Sequence, residues 1–363
     1  MMMNIIDRYI IKTFISTLFF SMIALYIIFI VVTLMENLDE FIDNAVKFDI
    51  ILEYYLSYFP EIVKLLTPVS LLLASLFSVG KLSQNNEITA MKSGGLSLYR
   101  LMLPLFIFSV ILSFGQFYFN GNIVPKAIER KNEIEREYLK KNRTTNSIYD
   151  LYFRDSPKLN LTMQYYSSTG KFGRRVMINE FEKDNSERLT KTIEANSILW
   201  NDSLMVWMLK NGITCEFKNG KIIDIIPFDS TTIKLNINHE RLVRLKKDYD
   251  EMTFDELKEY IEMMKVGGKD VSYQLINYHS EMAFPFANVI VILFGIPFAS
   301  IKRKGGMAVQ IAAALTISFA YLIFTQVGKQ LGLALALDPV LTGWLANGIF
   351  FILSIIVISK TRT

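Results

Sequence analysis

The chain has 363 residues, of which 51% are hydrophobic and 20% charged, with a formal net charge of +4. Its mean hydropathy of +0.29 is too high for an ordinary soluble protein, and the charges cluster in the middle, so the two ends read as membrane around a water-soluble domain. One cysteine, Cys215, leaves no internal disulfide, two histidines, His239 and His279, are too few for a His-rich metal site, and the small charge gives no argument for nucleic acid.

Arg8 and Lys12 precede the first apolar stretch, Thr13 to Met35, which carries no charge. It is long enough to cross a hydrocarbon core about 30 Å thick, and too long for a signal peptide. Acidic residues follow it: Glu36, Asp39, Glu40, Asp43 and Asp49. The second span, Ile62 to Gly80, contains one charge, Lys64, about one turn from its outer end. Lys64 has two readings. It snorkels to the headgroups, or it faces a cavity and meets a lipid phosphate or sugar acid.

The loop after span two runs Ser83-Gln84-Asn85-Asn86-Glu87-Ile88-Thr89-Ala90-Met91-Lys92-Ser93-Gly94-Gly95. Asn85 or Asn86 is placed to cap a helix, Glu87 suits the first turn, Ile88 and Met91 share a face, and Gly94-Gly95 stops it. A helix at about 84–95 projects from the membrane face. Either it rests on lipid headgroups, or it couples the chain to a groove on a cytoplasmic motor. Gly80-Lys81 is the nearest approach to a nucleotide-binding glycine loop and lacks its other residues, so no cofactor is expected and any driving energy comes from another chain.

Span three, Leu101 to Phe119, is uncharged, and the charged pattern of Lys126 to Lys141 predicts that its helix continues beyond the membrane. Short apolar runs then predict seven or eight strands: 148–153, 159–166, 176–181, 193–200, 204–209, 213–217, 222–226 and 231–237. Asn219-Gly220 between two of them predicts a tight hairpin. The expected architecture is an antiparallel sandwich or jelly roll. Its aromatic residues, Tyr152, Phe153, Tyr165, Tyr166, Trp200 and Trp207, read as core in preference to acyl-chain contacts.

Thr253 with Glu256 forms a capping box, Gly267-Gly268 ends that helix, and a further helix, Ser272 to Glu281, leads into span four. Spans four to six cover Met282 to Ile301, Met307 to Val327 and Val340 to Ser359. Gln116, Asn120 and Gln326 read as helix–helix hydrogen bonders, with Gln116 and Gln326 also candidate cavity residues. Lys329, just beyond span five, has the same two readings as Lys64. The basic residues Arg8, Lys12, Lys81, Lys92, Arg100, Lys302, Arg303, Lys304, Lys360 and Arg362 fall on one side of a six-span chain, which puts both termini in the cytoplasm. The whole is a polytopic α-helical membrane protein, three spans plus three, with an inserted periplasmic antiparallel β domain. Residues 1–125 hold spans one to three, 126–276 the β domain with flanking helices, and 277–363 spans four to six.

Four pieces carry a resemblance to a known family. They are Asp7-Arg8-Tyr9-Ile10, then Asn86 to Met91 with Ser93-Gly94-Gly95, then Ile123-Val124-Pro125, then Leu337-Asp338-Pro339 with Trp344 and Asn347. With the topology, they resemble the LptF/LptG permeases of the lipopolysaccharide export machine over the whole length, and the opening residues lean towards LptG. The resemblance implies an inner-membrane permease subunit and no enzyme. It implies a second LptF/LptG-type chain, an LptB-like ATPase dimer, LptC-like and LptA-like periplasmic bridge proteins, and lipopolysaccharide as cargo among the membrane lipids. It assigns ATPase coupling to Glu87 on the helix bearing Ile88, Met91, Gly94 and Gly95. Some relatives carry lysines where this chain has Thr33, Glu36, Asp39 and Glu40, so the charge contact to lipid is expected elsewhere, or in the partner, or the lipid has fewer phosphates. Two other readings compete: a non-transporting scaffold or envelope sensor whose β domain binds a ligand, and a lipid-modifying membrane enzyme. Scarce His and Cys and the lack of paired acids in the spans disfavour the enzyme.

Overall fold

The computed structural model describes residues 5–139, 147–182, 188–218, 220–244, 247–266, 270–300 and 306–360. Lys141, Thr144, Asn219, Gly267-Gly268, the basic loop Lys302-Arg303-Lys304 and Arg362 lie outside them. The helices are α1 (Ile5–Asp43), α2 (Phe48–Gln84), α3 (Glu87–Ser93), α4 (Leu98–Tyr118), α5 (Val124–Glu137), α6 (His239–Arg244), α7 (Phe254–Val266), α8 (Ser272–Ala283), α9 (Ala287–Ser300), α10 (Gly306–Ala334) and α11 (Pro339–Lys360). Strands β1 (Ser147–Ser156), β2 (Leu159–Ser167), β3 (Phe172–Phe181), β4 (Leu189–Asn201), β5 (Val206–Lys218) and β6 (Lys221–Ile233) fall between α5 and α6. The chain forms two compact units, Met1–Leu139 with Ser272–Thr363, and Lys140–Val271.

In the helical unit, six helical stretches among the described residues are long and apolar enough to cross a membrane. The six apolar runs read from the sequence lie along these helices, with Ile301 at the end of the fourth run outside the described residues. At about 1.5 Å per residue, α1 with 39 residues and α2 with 37 overshoot a hydrocarbon core about 30 Å thick. Span three passes through a π-helical turn, Phe119–Ile123, and continues as α5. There Lys131 meets Glu61 of α2 at 2.8 Å and lies 4.5 Å from the Tyr58 ring. Ile134 of α5 packs with Phe41, Tyr54 and Tyr55, so the rods stay packed where they leave the apolar zone.

The buried centre is α2. Leu71, Leu72 and Leu76 are fully enclosed with Leu105 of α4 and Ile292 and Ile296 of α9. Gly295 of α9 lies against α2 so closely that a Cβ would overlap Ser75, the small-residue contact by which helices approach in lipid. Span four is α8 and α9 joined by a 3₁₀ turn at Phe284–Phe286, where Pro285 interrupts the helical ladder. The Ala283 carbonyl is taken up at 2.6 Å by Asn347 Nδ2 of α11, whose Oδ1 accepts from Tyr321 of α10 at 2.7 Å. One asparagine thus ties spans four, five and six.

In the β unit, the six strands form one antiparallel sheet in sequential order. The sequence suggested seven or eight. Runs 204–209 and 213–217 are one strand, β5, and runs 222–226 and 231–237 merge largely into β6. The reason is a crease. Inward-facing residues form the cross-strand row Met163–Val176–Ala195–Gly212–Phe228 and a second row Tyr166–Gly173–Ile198–Leu209–Thr231. The two rows are three residues apart along every strand, where regular pleating gives two. Two successive residues therefore face outwards in β2 to β6, among them Arg174-Arg175 and Lys210-Asn211, all exposed. Arg175 and Asn211 take positive φ, 49° and 52°, as an aligned series of bulges would require. Gly212 fits here because a Cβ would strike the Glu194 carbonyl and Phe228. Residues from both sides of the crease share one core, so a simple meander is folded over itself into a jelly-roll-like domain.

Lys218 pairs with Lys221, so β5 and β6 form the expected hairpin, and Gly220 has φ 75°. Thr253 and Glu256 make the reciprocal capping-box bonds, backbone N to Glu256 Oε2 at 3.0 Å and Glu256 N to Thr253 Oγ1 at 3.3 Å. After β6 the chain is fastened back to β1 by buried Asp155, which accepts from the backbone N–H groups of Asn236 and Ile237 at 3.0 and 2.7 Å.

Candidate functional site

The segment between spans two and three is a helix–turn–helix built from local rules. Asn86 reverses the chain with φ 60°, a left-handed conformation that asparagine tolerates better than most residues. Its side chain does not cap α3, contrary to the sequence reading; Asn85 Nδ2 donates to Glu87 Oε1 at 3.0 Å instead. At the far end Gly95 has φ 85° and the Leu96 N–H bonds back to the Met91 carbonyl at 3.0 Å, so Gly94-Gly95 closes the helix. Ser97 then caps α4 by accepting from the Arg100 N–H at 3.3 Å.

The helix face differs from the expected one. Ile88 is only 4% exposed and belongs to the core of the helical unit, with Met91 packed against the same cluster. They anchor α3 to its own bundle and are not knobs for an external groove. Glu87 is half-buried, and Thr89, Ala90 and Ser93 are exposed. The carboxylate also accepts from the Tyr9 hydroxyl of α1 at 3.1 Å. Beside it, Arg100 grips Asp7 of α1 with two bonds of 2.8 and 2.7 Å. Neither partner on α1 was marked as functional by the sequence, although Asp7 and Tyr9 fall within one of the motif pieces.

A second polar group lies among spans two, three and four. Lys64 Nζ and Glu281 Oε2 are 2.5 Å apart, with side chains 15% and 29% exposed. Gln116 Nε2 donates to the Lys64 carbonyl at 3.0 Å, and Asn288 Nδ2 donates to Gln116 Oε1 at 2.5 Å. Lys64 and Gln116 thus belong to one lattice. Lys329 adds a second positive charge to the surroundings of Glu281, while Gln326 is exposed on α10. Asn120 is buried in the π-helical turn, and neither polar atom of its side chain has a hydrogen-bond partner. Glu281 was missed because it sits one residue before the uncharged run. A lysine near the outer end of span two, matched in depth by an acid at the outer end of span four, was the available signal.

In the β unit, Trp207 and Tyr166 are fully buried and Phe153 is 5% exposed. Trp200 lies opposite Trp207 with ring centroids 5.0 Å apart, and the Trp207 indole donates to the Ile237 carbonyl at 2.7 Å. These rings are core, as expected, whereas Tyr152 is exposed. The Tyr166 hydroxyl lies 2.7 Å from His239 Nδ1. Burial lowers the His239 pKa, nearby Lys171 lowers it further, and Asp202 and Glu240 oppose that effect. Burial raises the Tyr166 pKa, so the phenol is the donor to a neutral imidazole. No group of three or more metal-ligating side chains occurs among the described residues.

The family model described as lipopolysaccharide export system permease LptF/LptG matches residues 8–360. The chain is 21% identical over 367 residues to the lipopolysaccharide export system permease protein LptG of Escherichia coli strain K12, covering 97% of each. It is also 21% identical to that organism's LptF over 361 residues, covering 97% of this chain and 94% of the relative. An uncharacterised protein of Aquifex aeolicus is 23% identical over 304 residues, covering 80% of this chain and 81% of that protein. Identity does not separate LptG from LptF.

Proposed function

The chain belongs to the LptF/LptG family of lipopolysaccharide export permeases, and on that premise we propose that it is one half of a lipid-export permease, driven through α3 by a separate cytoplasmic ATPase. It extracts lipopolysaccharide from the inner membrane and passes it to a periplasmic bridge. The observation that carries the motor reading is Glu87, on a short helix anchored from beneath by Ile88 and Met91 and open on its Thr89–Ala90–Ser93 face. A groove on an LptB-like ATPase takes that face, with Glu87 as its charged contact. Among the described residues there is one such helix, so an ATPase dimer with two equivalent grooves requires a second LptF/LptG-type permease.

The termini and α3 lie in the cytoplasm, by the distribution of basic residues, and the β unit lies in the periplasm. There its end strand β6, with Ile222, Ile223, Ile225 and Ile226 exposed, offers an edge to LptC-like and LptA-like bridge proteins of similar fold. Lys64, Gln116, Gln326 and Lys329 stand at the lipid path, with Lys64 reaching lipid only as it exchanges Glu281 for a lipid anion. Purification in mild detergent, with identification of the co-purifying chains, tests the assembly. A second permease at 1:1 and an ATPase dimer support export. Recovery of the chain without any ATPase would support the scaffold reading.

A further inference from the structure

We infer that Asp7 and Tyr9 are positioning residues that join α3 and the start of α4 to span one, so that part of the motor's movement passes directly to α1. The inference rests on the reading of α3 as the motor contact. Its own basis is geometric. Asp7 and Tyr9 sit two residues apart at the start of α1. Asp7 takes both guanidinium donors of Arg100, in the first turn of α4, at 2.8 and 2.7 Å, and Tyr9 donates to Glu87, at the start of α3, at 3.1 Å. One contact is made to the start of α3 and the other to the start of α4, so the two flank the segment that carries the short helix. Asp7 is only 7% exposed, and a bidentate, partly shielded carboxylate–guanidinium pair fixes orientation as well as distance. Tyr9 contributes one hydroxyl and leaves the Asn85 bond to the other Glu87 oxygen in place.

Span one has a packed side, with Ile10, Phe14 and Leu18 in the core, and an open side. Phe19, Phe20, Ile23 and Ile27 along it are well exposed, while the centre of α2 is enclosed on all sides. A displacement of α3 reaches α1 through these two polar contacts as well as through the shared core of α1, α2 and α4. Ile88 and Met91 transmit force into the bundle core, whereas Asp7 and Tyr9 direct part of it to the start of span one.

The test uses the complete transporter in proteoliposomes and reads lipopolysaccharide transferred per ATP hydrolysed, with ATPase retained on purification measured in parallel. Asp7→Asn and Arg100→Gln should each retain the ATPase and lower transfer per ATP about tenfold, the effect of losing one charge-assisted hydrogen-bonded contact. The exchange variant, Asp7→Arg with Arg100→Asp, should restore at least half of the lost coupling. Tyr9→Phe should lower it by less, because Asn85 still holds Glu87. A nearest-neighbour readout covers variants of low yield: a spin label at position 13 of α1 should change mobility on ATPase binding in the native chain and lose that response in Asp7→Asn. Wild-type coupling in both single variants would overturn the linkage, as would an exchange variant no better than either. Failure of the underlying reading looks different, since Glu87→Ala would then leave ATPase retention and transfer untouched.

Discussion

Lys64 shows how a single intramembrane charge is resolved by its neighbour. A lysine deep in a span is costly, roughly 2.5–3.5 kcal/mol at mid-membrane and less near the edge, and Glu281 at 2.5 Å offsets that. Removing one partner leaves the other uncompensated. Lys64→Ala and Glu281→Ala are each expected to destabilise the helical unit by about 2–3 kcal/mol, seen as a lower unfolding midpoint in detergent, and the charge-exchanged pair should recover most of it. If Glu281→Ala leaves the midpoint unchanged, Lys64 is serving the headgroups or the lipid and not its neighbour. The lysine was legible in the sequence because it interrupts an uncharged run. The glutamate was not, because it falls just outside one. His239 gives a pH prediction of the same kind. Its folded pKa lies below the unfolded value, so the unfolded chain binds more protons in the window between them. Stability of the β unit is therefore full above about pH 6.5 and falls as pH drops through the folded pKa. Tryptophan fluorescence melts at pH 7.5 and 5.5 should show the loss, and His239→Gln, which still accepts from Tyr166, should flatten it.

Among the elements, the transmembrane helices were legible and the strands less so, for one physical reason. Each span is a long run without charge, and nothing but length is needed to mark it. A strand is marked by alternation, and the crease breaks alternation in the same place in each strand. At Arg174-Arg175 and Lys210-Asn211 two polar residues follow one another and read as loop, although the hydrogen-bonded ladder continues on both sides. The crease also sets residue requirements. Asn211 holds φ 52°, so Asn211→Gly should be neutral or slightly stabilising. A β-branched Asn211→Val should lower β-unit stability by about 1–2 kcal/mol, measured by the same fluorescence melts. Equal effects of the two changes would mean the bulge does not constrain that strand. Helix α3 combined both situations. Its ends were marked by asparagine and glycine, but the direction of Ile88 and Met91 was not, since two apolar residues on one face of a surface helix suit an external groove and the protein's own core equally well.

For the whole molecule, the two units divide the labour that the family membership implies. The helical unit has a well-enclosed centre at α2, α4 and α9 and apolar flanks on α1, α10 and α11 that face lipid or another chain. The β unit is a folded-over meander with β6 at one end of the sheet. An external ATPase is proposed to drive the chain through Glu87 on α3. The most direct measurement is ATP-dependent lipopolysaccharide transfer out of proteoliposomes holding the assembled transporter, native against Glu87→Ala, at matched levels of inserted chain. The account predicts normal membrane insertion with transfer reduced at least about tenfold, as for loss of a charged docking contact. Undiminished transfer with a fully assembled ATPase in the Glu87→Ala transporter would contradict it.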